Sequence, residues 1–482
     1  MTRPLAILAF LSLILVAGAE AAAVNGGSHS TAHLSAHRLW TRNFGLNADS
    51  SPAYLPRVRL SSSRSIDLVY ILTGNNGSNC SQGDPVTRAV LYAINAANGH
   101  TIWSRTTSGA SRCTTAGPVA DPSGRWIYAP GLDGREHRYN AATGSETRSG
   151  GWPVAITLMP DVEKMSATAT LGFGRLYVTT SGFIGDQGHY EGHLVTIDLA
   201  TGRSRVFNTL CSSIRHLLVT NSSSRYYCSA VTSGLFGRGE GAIDPTTHDV
   251  YIVSGNGPWN GRTNWGDSVL KLDPSGSKLI DAYTPTNQQN LAASDQDLGS
   301  TGPAILPAVK QNGHTYHLLV QGGKGPGCNS CNGVVLRLLN RDKLSGRLGL
   351  IGHLGGDLQQ IATPGNCEVL TAPAVWSSKS HQNWVFYSND CGTVGYRLIV
   401  PKRGAIRLQR MWSIGSAGTT PALRNGILYI ERPNNLTAYN PATGAVLWHD
   451  GSLGDVHWEY PLVTKNRIFV TDNSGHLYAY AL

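Results

Sequence analysis

The sequence has few charged residues and no run of like charges. Only 14% of its 482 residues are Asp, Glu, Lys or Arg, and the 39 basic residues, which outnumber the 30 acidic ones, are scattered along the chain. A scattered positive charge is weak support for nucleic-acid or membrane partners. After the N-terminus no segment has the ~18 uninterrupted apolar residues of a membrane span. We therefore expect no bound nucleic acid and no transmembrane segment in the mature chain.

Several motifs that would indicate an enzyme are also missing. There is no His-Glu-x-x-His or Gly-x-Ser-x-Gly pattern, so metalloprotease and serine hydrolase interpretations have no support. The Gly-Gly-Lys-Gly-Pro-Gly stretch around Lys324 is only superficially like a phosphate loop, because no Ser or Thr follows the lysine. No Cys-x-x-Cys-His sequence is present, which excludes a fused haem electron acceptor.

The N-terminus carries the features of a secretory signal peptide. Arg3 precedes an apolar stretch from Leu5 to about Val16, and small residues then offer cleavage sites ending near Ala21 or Ala23. No Cys lies directly after this stretch, near the cleavage sites, which argues against a lipid anchor. We predict a signal peptide over residues 1–23, a flexible segment over 24–36, and a secreted or periplasmic protein.

Eight cysteines follow the predicted signal peptide. An even number in an oxidising compartment indicates disulfides, and pairing of nearest neighbours would join Cys80 to Cys113, Cys211 to Cys228, and Cys367 to Cys391. Cys328 and Cys331 are separated by two residues. This spacing is compatible with a small disulfide loop, with a redox pair or with half of a metal site. A zinc ribbon needs a second Cys-x-x-Cys, and there is none. We favour structural disulfides for all eight.

The chain repeats one pattern seven times. LYAINAANGHTIW at Leu91–Trp103 aligns with LTAYNPATGAVLWH at Leu436–His449: an alternating apolar strand, Asn or Asp, a turn ending in Gly, and a second strand with Trp. The period-2 alternation predicts half-buried strands, and the last turn position requires a positive φ. The Trp is expected to bury its face between neighbouring units. The turn glycines are Gly99, Gly144, Gly202, Gly276, Gly346, Gly404 and Gly444.

The two ends of the chain each contain half of an eighth repeat. LWTRNFG at Leu39–Gly45 corresponds to the strand after a turn, whereas LYAYAL at Leu477–Leu482 corresponds to the strand before one. Pairing of Leu39–Phe44 with Leu477–Leu482 would close a ring of strands without exposed edges. The sequence therefore predicts an all-β, eight-bladed β-propeller over residues 37–482. An open β-solenoid would not need complementary ends.

This repeat resembles the pyrroloquinoline-quinone (PQQ) type repeat, with its Ala-x-Asp-x-x-Thr-Gly-x-x-x-Trp tryptophan-docking pattern. The resemblance covers nearly the whole predicted mature chain and extends to two groups, the quinoprotein alcohol dehydrogenases and the outer-membrane assembly propellers. It implies the propeller fold. Function does not follow from it, because one fold hosts many activities.

Two segments resemble the cofactor site of the quinoprotein dehydrogenases. In Tyr251–Pro274, Asn256 matches a Ca²⁺ ligand, and Trp259 would offer an apolar wall. In Ser294–Pro307, Asp295 matches the catalytic base, and Asp297 the second acidic position, a metal ligand. Lys324 stands where those enzymes place a cation on the quinone oxygens. Since equivalent ends of propeller blades converge, these side chains are expected to meet at one face.

Other features depart from the dehydrogenase pattern. The chain lacks the adjacent Cys-Cys pair that forms a ring beside the quinone, and Gly237–Asp249, which should supply the floor Trp, offers Gly and Glu240 instead. The expected Glu ligand is replaced by Gly185, Asp186 and Gln187 in its neighbourhood. A simpler interpretation makes Asn256 a tight-turn residue and both Asp295 and Asp297 turn caps.

Three functions from different classes stay open. The first, which we favour, is a secreted, non-catalytic and monomeric propeller that binds a protein, a glycan or a small ligand at one face. The second is a PQQ- and Ca²⁺-dependent oxidoreductase with an atypical pocket, and the third is a scaffold for assembly of the cell envelope. The missing cofactor walls predict weak or absent PQQ binding.

Overall fold

The structure, a computed structural model, describes residues 34–74, 88–111, 113–237, 241–327, 333–345, 352–457 and 459–482. Within these residues the strands form eight four-stranded antiparallel sheets, each of which is one blade of a propeller. The predicted eight-bladed β-propeller is confirmed. The predicted signal peptide lies outside the described residues, and no described helix is both long and apolar enough to cross a bilayer.

The first four blades follow each other along the chain. Blade 1 contains β2 to β5 (Ala53–Arg59, Ser65–Thr73, Ala89–Asn95 and Thr101–Thr107). Blade 2 contains β6 to β9 (Val119–Ala120, Trp126–Pro130, Arg135–Asn140 and Val154–Ala155). Blade 3 contains β11, β12, β14 and β15 (Thr170–Gly172, Arg175–Thr179, His193–Asp198 and Ser204–Asn208). Blade 4 contains β16 to β19 (Ala242–Ile243, Val250–Val253, Val269–Leu272 and Leu279–Tyr283).

The remaining blades complete the ring. Blade 5 contains β20 and β23 to β25 (Ala304–Ile305, Leu318–Gln321, Val335–Asn340 and Gln359–Ala362). Blade 6 contains β26 to β29 (Ala374–Ser377, Asn383–Asn389, Gly392–Ile399 and Arg407–Ile414). Blade 7 contains β30 to β33 (Ala422–Arg424, Ile427–Arg432, Asn435–Tyr439 and Val446–Asp450). Blade 8 contains β34 to β36 and β1 (Leu462–Val463, Arg467–Thr471, His476–Ala481 and His37–Asn43).

Short strands, a short helix and 3₁₀ turns lie in the connections between and within blades. Strand β10 (Glu163–Lys164) pairs with β13 (Ser181–Gly182), and β21 (Val309–Gln311) pairs with β22 (His314–Tyr316). One short helix, α1 (Gln288–Ala293), and a 3₁₀ turn, Leu298–Ser300, lie between blades 4 and 5. A second 3₁₀ turn, Pro364–Asn366, lies between blades 5 and 6.

The two ends of the chain close blade 8. Strand β1 pairs antiparallel with β36, with Thr41 opposite Tyr478 and His37 opposite Ala481. This confirms the closure predicted from the two half-repeats. Blade 8 also packs against blade 1, because the ring of Phe469 stacks on the ring of Tyr54 with centroids 5.9 Å apart.

The repeated Trp residues pack between blades as the pattern predicted. The indole of Trp103 in blade 1 is buried, and its Nε1 donates a hydrogen bond to the carbonyl of Ala141 in blade 2 at 2.9 Å. Its ring lies directly over Gly144, whose φ is +66° and where an added Cβ would lie 2.6 Å from the ring. Glycine is therefore required at this turn both for its backbone conformation and for the space it leaves.

The hydrophobic core lies between adjacent blades. One cluster joins Leu68 and Tyr70 of blade 1 to Ile127 and Tyr139 of blade 2, and equivalent clusters join blades 5 and 6, and blades 7 and 8. Each blade thus buries one face against the next, so no blade has a complete core of its own.

Two predicted disulfides are confirmed. Cys211 is bonded to Cys228, and Cys367 is bonded to Cys391. Cys113 is disulfide-bonded too, and the described residues contain no free cysteine. The other predicted participants, Cys80, Cys328 and Cys331, lie outside the described residues, as does the turn glycine Gly346.

Candidate functional site

The direction of the strands determines which loops share a face. Because neighbouring strands run antiparallel, the loops between second and third strands lie at the same face as the connections between blades. We call this the loop face. The turns between third and fourth strands, which contain the repeated glycines, lie at the opposite face. All predicted catalytic and metal-binding residues are on the loop face.

The loop face brings four residues of the predicted site together. Asn256 follows the second strand of blade 4, Lys324 follows the second strand of blade 5, and Asp295 and Asp297 lie in the connection between these blades. The ammonium Nζ of Lys324 is 2.7 Å from Oδ2 of Asp297 and 3.8 Å from Oδ1 of Asp295. These side chains, separated widely in sequence, therefore form one cluster.

Asp297 links the blade connection to the loop of Asn256. Its Oδ1 accepts the backbone N–H of Asn256 at 2.7 Å, and its side chain is almost fully buried. Although Asp297 precedes the 3₁₀ turn, its side chain makes no capping hydrogen bond there. The interpretation of this residue as a local turn cap is therefore wrong.

Asn256 is likewise more than a turn residue. It lies outside the left-handed region of the backbone map, and only 8% of the residue is exposed. Its Nδ2 donates to Oδ1 of Asp295 and to Oδ2 of Asp186, both at 3.3 Å. Its Oδ1 is buried and has no hydrogen-bond partner. Leaving a buried carbonyl oxygen unsatisfied costs about 1–3 kcal/mol.

Asp186, from the loop after β13 in blade 3, is a member of this cluster to which the sequence analysis assigned no role, naming it only beside the missing Glu ligand. Comparison with the dehydrogenases pointed to a missing Glu ligand near Gly185–Gln187, whereas the structure directs the shorter carboxylate of Asp186 towards Asn256. Its other oxygen accepts the hydroxyl of Tyr190 at 2.5 Å, which orients the carboxylate. The signal in the sequence was an acidic residue between the second and third strands of blade 3. Asn256 lies in the corresponding loop of blade 4.

Burial and crowding disfavour ionised carboxyls in the cluster. Burial raises the pKa of Asp297, and the charge and hydrogen bond of Lys324 offset this only in part. Burial also raises the pKa of Asp267 to about 8, with a contribution from the charge of Asp297. The pKa of Glu368 is raised by burial and by the charges of Asp295 and Asp297, against the opposing effect of Lys324. The buried carboxyl groups in and beside the cluster therefore keep their protons to a higher pH than free carboxyl groups do.

Lys324 is held in its charged form. Burial lowers its pKa, but the charge and hydrogen bond of Asp297 and the charge of Asp295 more than compensate, so that the net shift is upward. Its ammonium is therefore engaged with these two carboxylates. A negatively charged ligand would have to compete with them for it.

Trp259, the predicted apolar wall, has hydrophobic contacts in blade 4. It packs against the hydrophobic cluster that contains Leu235 and Trp265, and it forms an isolated bridge with Trp265. Glu240, at the predicted floor of the quinone site, lies outside the described residues. Within the described residues no three His, Cys, Asp or Glu side chains are grouped closely enough to hold a metal ion. Any cation here would have at most two carboxylates beside the amide of Asn256, and oxygen atoms of a ligand or of water would have to complete its coordination.

Comparisons with known proteins agree on the repeat and the fold. A model of the PQQ-type family described as outer membrane protein assembly factor BamB matches residues 374–482. The resemblance to PQQ-type repeat propellers is confirmed. No curated protein matches the chain.

Three solved structures show the same architecture at low identity. Quinohemoprotein alcohol dehydrogenase from Comamonas testosteroni is 14% identical, with 92% of this chain and 76% of that chain covered and a TM-score of 0.58. BamB from Moraxella catarrhalis is 11% identical, with coverages of 93% and 100% and a TM-score of 0.51. Sqt1 from Saccharomyces cerevisiae is 11% identical, with the same coverages and a TM-score of 0.52. These similarities establish the propeller fold alone.

Proposed function

We propose that the protein is an exported, non-catalytic binding module whose loop face takes a small polar ligand together with a hard cation. The observation that carries the proposal is the amide of Asn256, which lies between the carboxylates of Asp186 and Asp295 with a buried, unpartnered Oδ1. Rotation of the side-chain amide that exchanges its oxygen and nitrogen would direct Oδ1 towards both carboxylates. A cation there would have three protein oxygens, the donor type that Ca²⁺ prefers.

The same residues fit a quinone poorly. Ca²⁺ usually takes six to eight oxygen ligands, so ligand or water oxygens have to complete this partial set. The anionic PQQ would need cationic partners, whereas Lys324 is already paired with Asp297. Trp259 already packs against the hydrophobic cluster that contains Leu235 and Trp265. The oxygen donors thus support cation binding more than they support quinone binding.

A PQQ- and Ca²⁺-dependent oxidoreductase is the second candidate. It is favoured by Asp186, which offers a carboxylate in the region where the expected Glu is missing. When bound, the quinone would accept the electrons of an alcohol. Asp186 and Asn256 would then hold the cation, and Asp295, which is largely exposed, would be positioned to take a proton.

Protein binding and a role in envelope assembly are the third candidate. The match of residues 374–482 to the BamB family model supports it, as does the propeller fold shared with BamB. An extracytoplasmic location would agree with the disulfides of the described chain.

Titration of the chelator-treated protein with Ca²⁺ tests the proposal. We expect saturable calorimetric binding, and we expect the Asn256→Ala variant to bind at least tenfold more weakly. The matched control is Asn98→Ala, in an exposed turn at the opposite face, which should bind as the unmodified protein does. Absence of Ca²⁺ binding, or equal binding by both variants, would refute the proposal.

PQQ separates the first two candidates. We expect no change in Trp fluorescence when PQQ is added with Ca²⁺, and no dye-linked oxidation of alcohols. Saturable, Ca²⁺-dependent quenching accompanied by alcohol oxidation would favour the oxidoreductase and exclude the non-catalytic module.

A further inference from the structure

Several segments of the chain have the sequence Asn-x-Ser or Asn-x-Thr in which x is not proline. They begin at Asn76, Asn79, Asn221 and Asn435. This motif is the acceptor of N-linked glycans in exported proteins. Asn76 and Asn79 lie outside the described residues, whereas the structure shows how the other two motifs are presented to solvent.

Asn221 lies in the long connection between β15 of blade 3 and β16 of blade 4. The ends of the loop that carries it are joined by the disulfide between Cys211 and Cys228, and the side chain of Leu218 is buried beneath it. Asn221 and the two serines that follow it are exposed. The motif is therefore held at the surface of the protein by an anchored loop.

The backbone at Asn221 forms a turn in which the asparagine side chain takes part. Its Oδ1 accepts the backbone N–H of Ser223 at 3.0 Å, and its main-chain carbonyl accepts the N–H of Ser224 at 2.9 Å. Asparagine favours such turns because its side chain imitates a turn of the backbone. The turn engages the amide oxygen, whereas no described residue accepts a hydrogen bond from Nδ2, the atom to which a glycan is attached.

The motif at Asn435 is presented differently. Asn435 is the half-buried first residue of β32, and its Oδ1 accepts a hydrogen bond from the hydroxyl of Thr437. Only 1% of Thr437 is exposed, so the third residue of this motif lies inside the blade. Of the two described motifs, only the one at Asn221 has both its amide and its hydroxyl-bearing residue at the surface.

We propose that Asn221 is a site of N-linked glycosylation. The proposal rests on the predicted export of the chain, with which the disulfides agree. In the transfer, Nδ2 forms a bond to the anomeric carbon of an oligosaccharide carried on a lipid pyrophosphate. The bond from that carbon to the pyrophosphate oxygen breaks, the lipid pyrophosphate leaves, and Nδ2 releases one proton.

Secretion of the full chain, with its own N-terminus, from eukaryotic cells tests this inference. Peptide N-glycosidase in heavy-oxygen water converts each glycosylated Asn to labelled Asp, which mass spectrometry of peptides locates. We expect label at Asn221 in the secreted protein. Asn221→Gln and Ser223→Ala should each abolish it, because they remove the acceptor amide and the required hydroxyl.

The matched control is Ser222→Ala. Ser222 is an exposed serine next to Ser223, but the motif accepts any residue except proline at its position, so the label at Asn221 should persist. Ser223→Thr keeps a hydroxyl and should also retain the label. Both serine positions lie on the exposed loop, so all variants are expected to fold and to be secreted.

Three results would overturn the proposal. They are a secreted protein without label at Asn221, label at Asn221 that survives Ser223→Ala, and a full chain that stays in the cytosol. Asn256→Ala should keep the label at Asn221, so this site and the proposed cation site can fail independently.

Discussion

The amide of Asn256 in blade 4 donates a hydrogen bond to the carboxylate of Asp186 in blade 3 at 3.3 Å, although the two residues are 70 positions apart. Tyr190 holds the other oxygen of this carboxylate. The loops of two blades therefore meet through a polar contact at the loop face, and the carboxylate of Asp186 is oriented before any ligand arrives.

This contact predicts the effect of substitutions at Asp186. Asp186→Asn removes the negative charge but keeps an oxygen acceptor for Tyr190, so the fold should persist while Ca²⁺ affinity falls at least tenfold. Asp186→Glu retains the charge and should keep a larger part of the affinity. Calorimetric titration of both variants checks this, and equal Ca²⁺ binding by the two would show that the carboxylate is not a ligand.

Loss of Lys324 should leave a buried carboxylate without its partner. Breaking a buried pair by removing one member typically costs roughly 3–5 kcal/mol, and Lys324→Met removes the cation 2.7 Å from Asp297. The loss should grow as the pH rises, because Asp297 then becomes charged. Urea unfolding at several pH values measures it.

The double variant Lys324→Met with Asp297→Asn is the control for that prediction. Asparagine keeps the oxygen that accepts the backbone N–H of Asn256. It carries no charge, so stability and its pH dependence should be largely restored. A double variant as unstable as the single one would show that the lysine acts through packing.

Stability should fall as the pH rises from about 5 to about 8. Burial, with a contribution from the charge of Glu163, raises the pKa of Glu191 to about 8. The folded chain thus holds a proton that the unfolded chain releases near pH 4.5, and each such group lowers stability by about 1.4 kcal/mol per pH unit in this window. Around Glu191 lie the charged or titratable groups Glu163, His189 and His193.

Glu191→Gln should reduce this slope. It removes one group that takes up a proton on folding, so the decline measured by urea unfolding between pH 5 and pH 8 should become shallower by up to about 1.4 kcal/mol per pH unit. Exposed Asp455 serves as a control position, since Asp455→Asn should leave the slope unchanged. An unchanged slope in Glu191→Gln would show that Glu191 is ionised in the folded protein at pH 5.

Closure of the ring should be essential for stability. Deleting residues 477–482 removes most of β36, which pairs with β1 on one side and with β35 on the other. Two strand edges would then be exposed, and we expect aggregation or a large drop in melting temperature, measured by light scattering and calorimetry. Melting like the full chain would contradict a closed ring.

Thiol labelling tests the predicted disulfides over the whole chain. The bonds Cys211–Cys228 and Cys367–Cys391, together with the bonded Cys113, already account for five of the eight cysteines. Under denaturing, non-reducing conditions we expect no more than two reactive thiols, counted by mass spectrometry. Six or more would be incompatible with the disulfide prediction.

The fold could be predicted from the sequence because its determinants are local and repeated. Alternation of apolar residues specifies the strands, and Gly144 and Gly444 have the positive φ that their turn positions require. The two half-repeats gave the blade number without any distant contact being known. Trp103 and Trp412 recur at one place in the pattern, so their packing on the next blade followed as well.

The site was decided by tertiary structure. Sequence similarity pointed to Asn256, Asp295, Asp297 and Lys324, but it could not predict that Asp297 would pair with Lys324 and accept the backbone N–H of Asn256. It also named Asp186 only as a residue near the missing Glu ligand and assigned it no role. These residues lie in loops of unequal length that follow no period, and their contacts span from 27 to 70 residues. Only the curvature of the ring, which brings the loop ends of blades 3, 4 and 5 together at one face, determines which of their side chains meet.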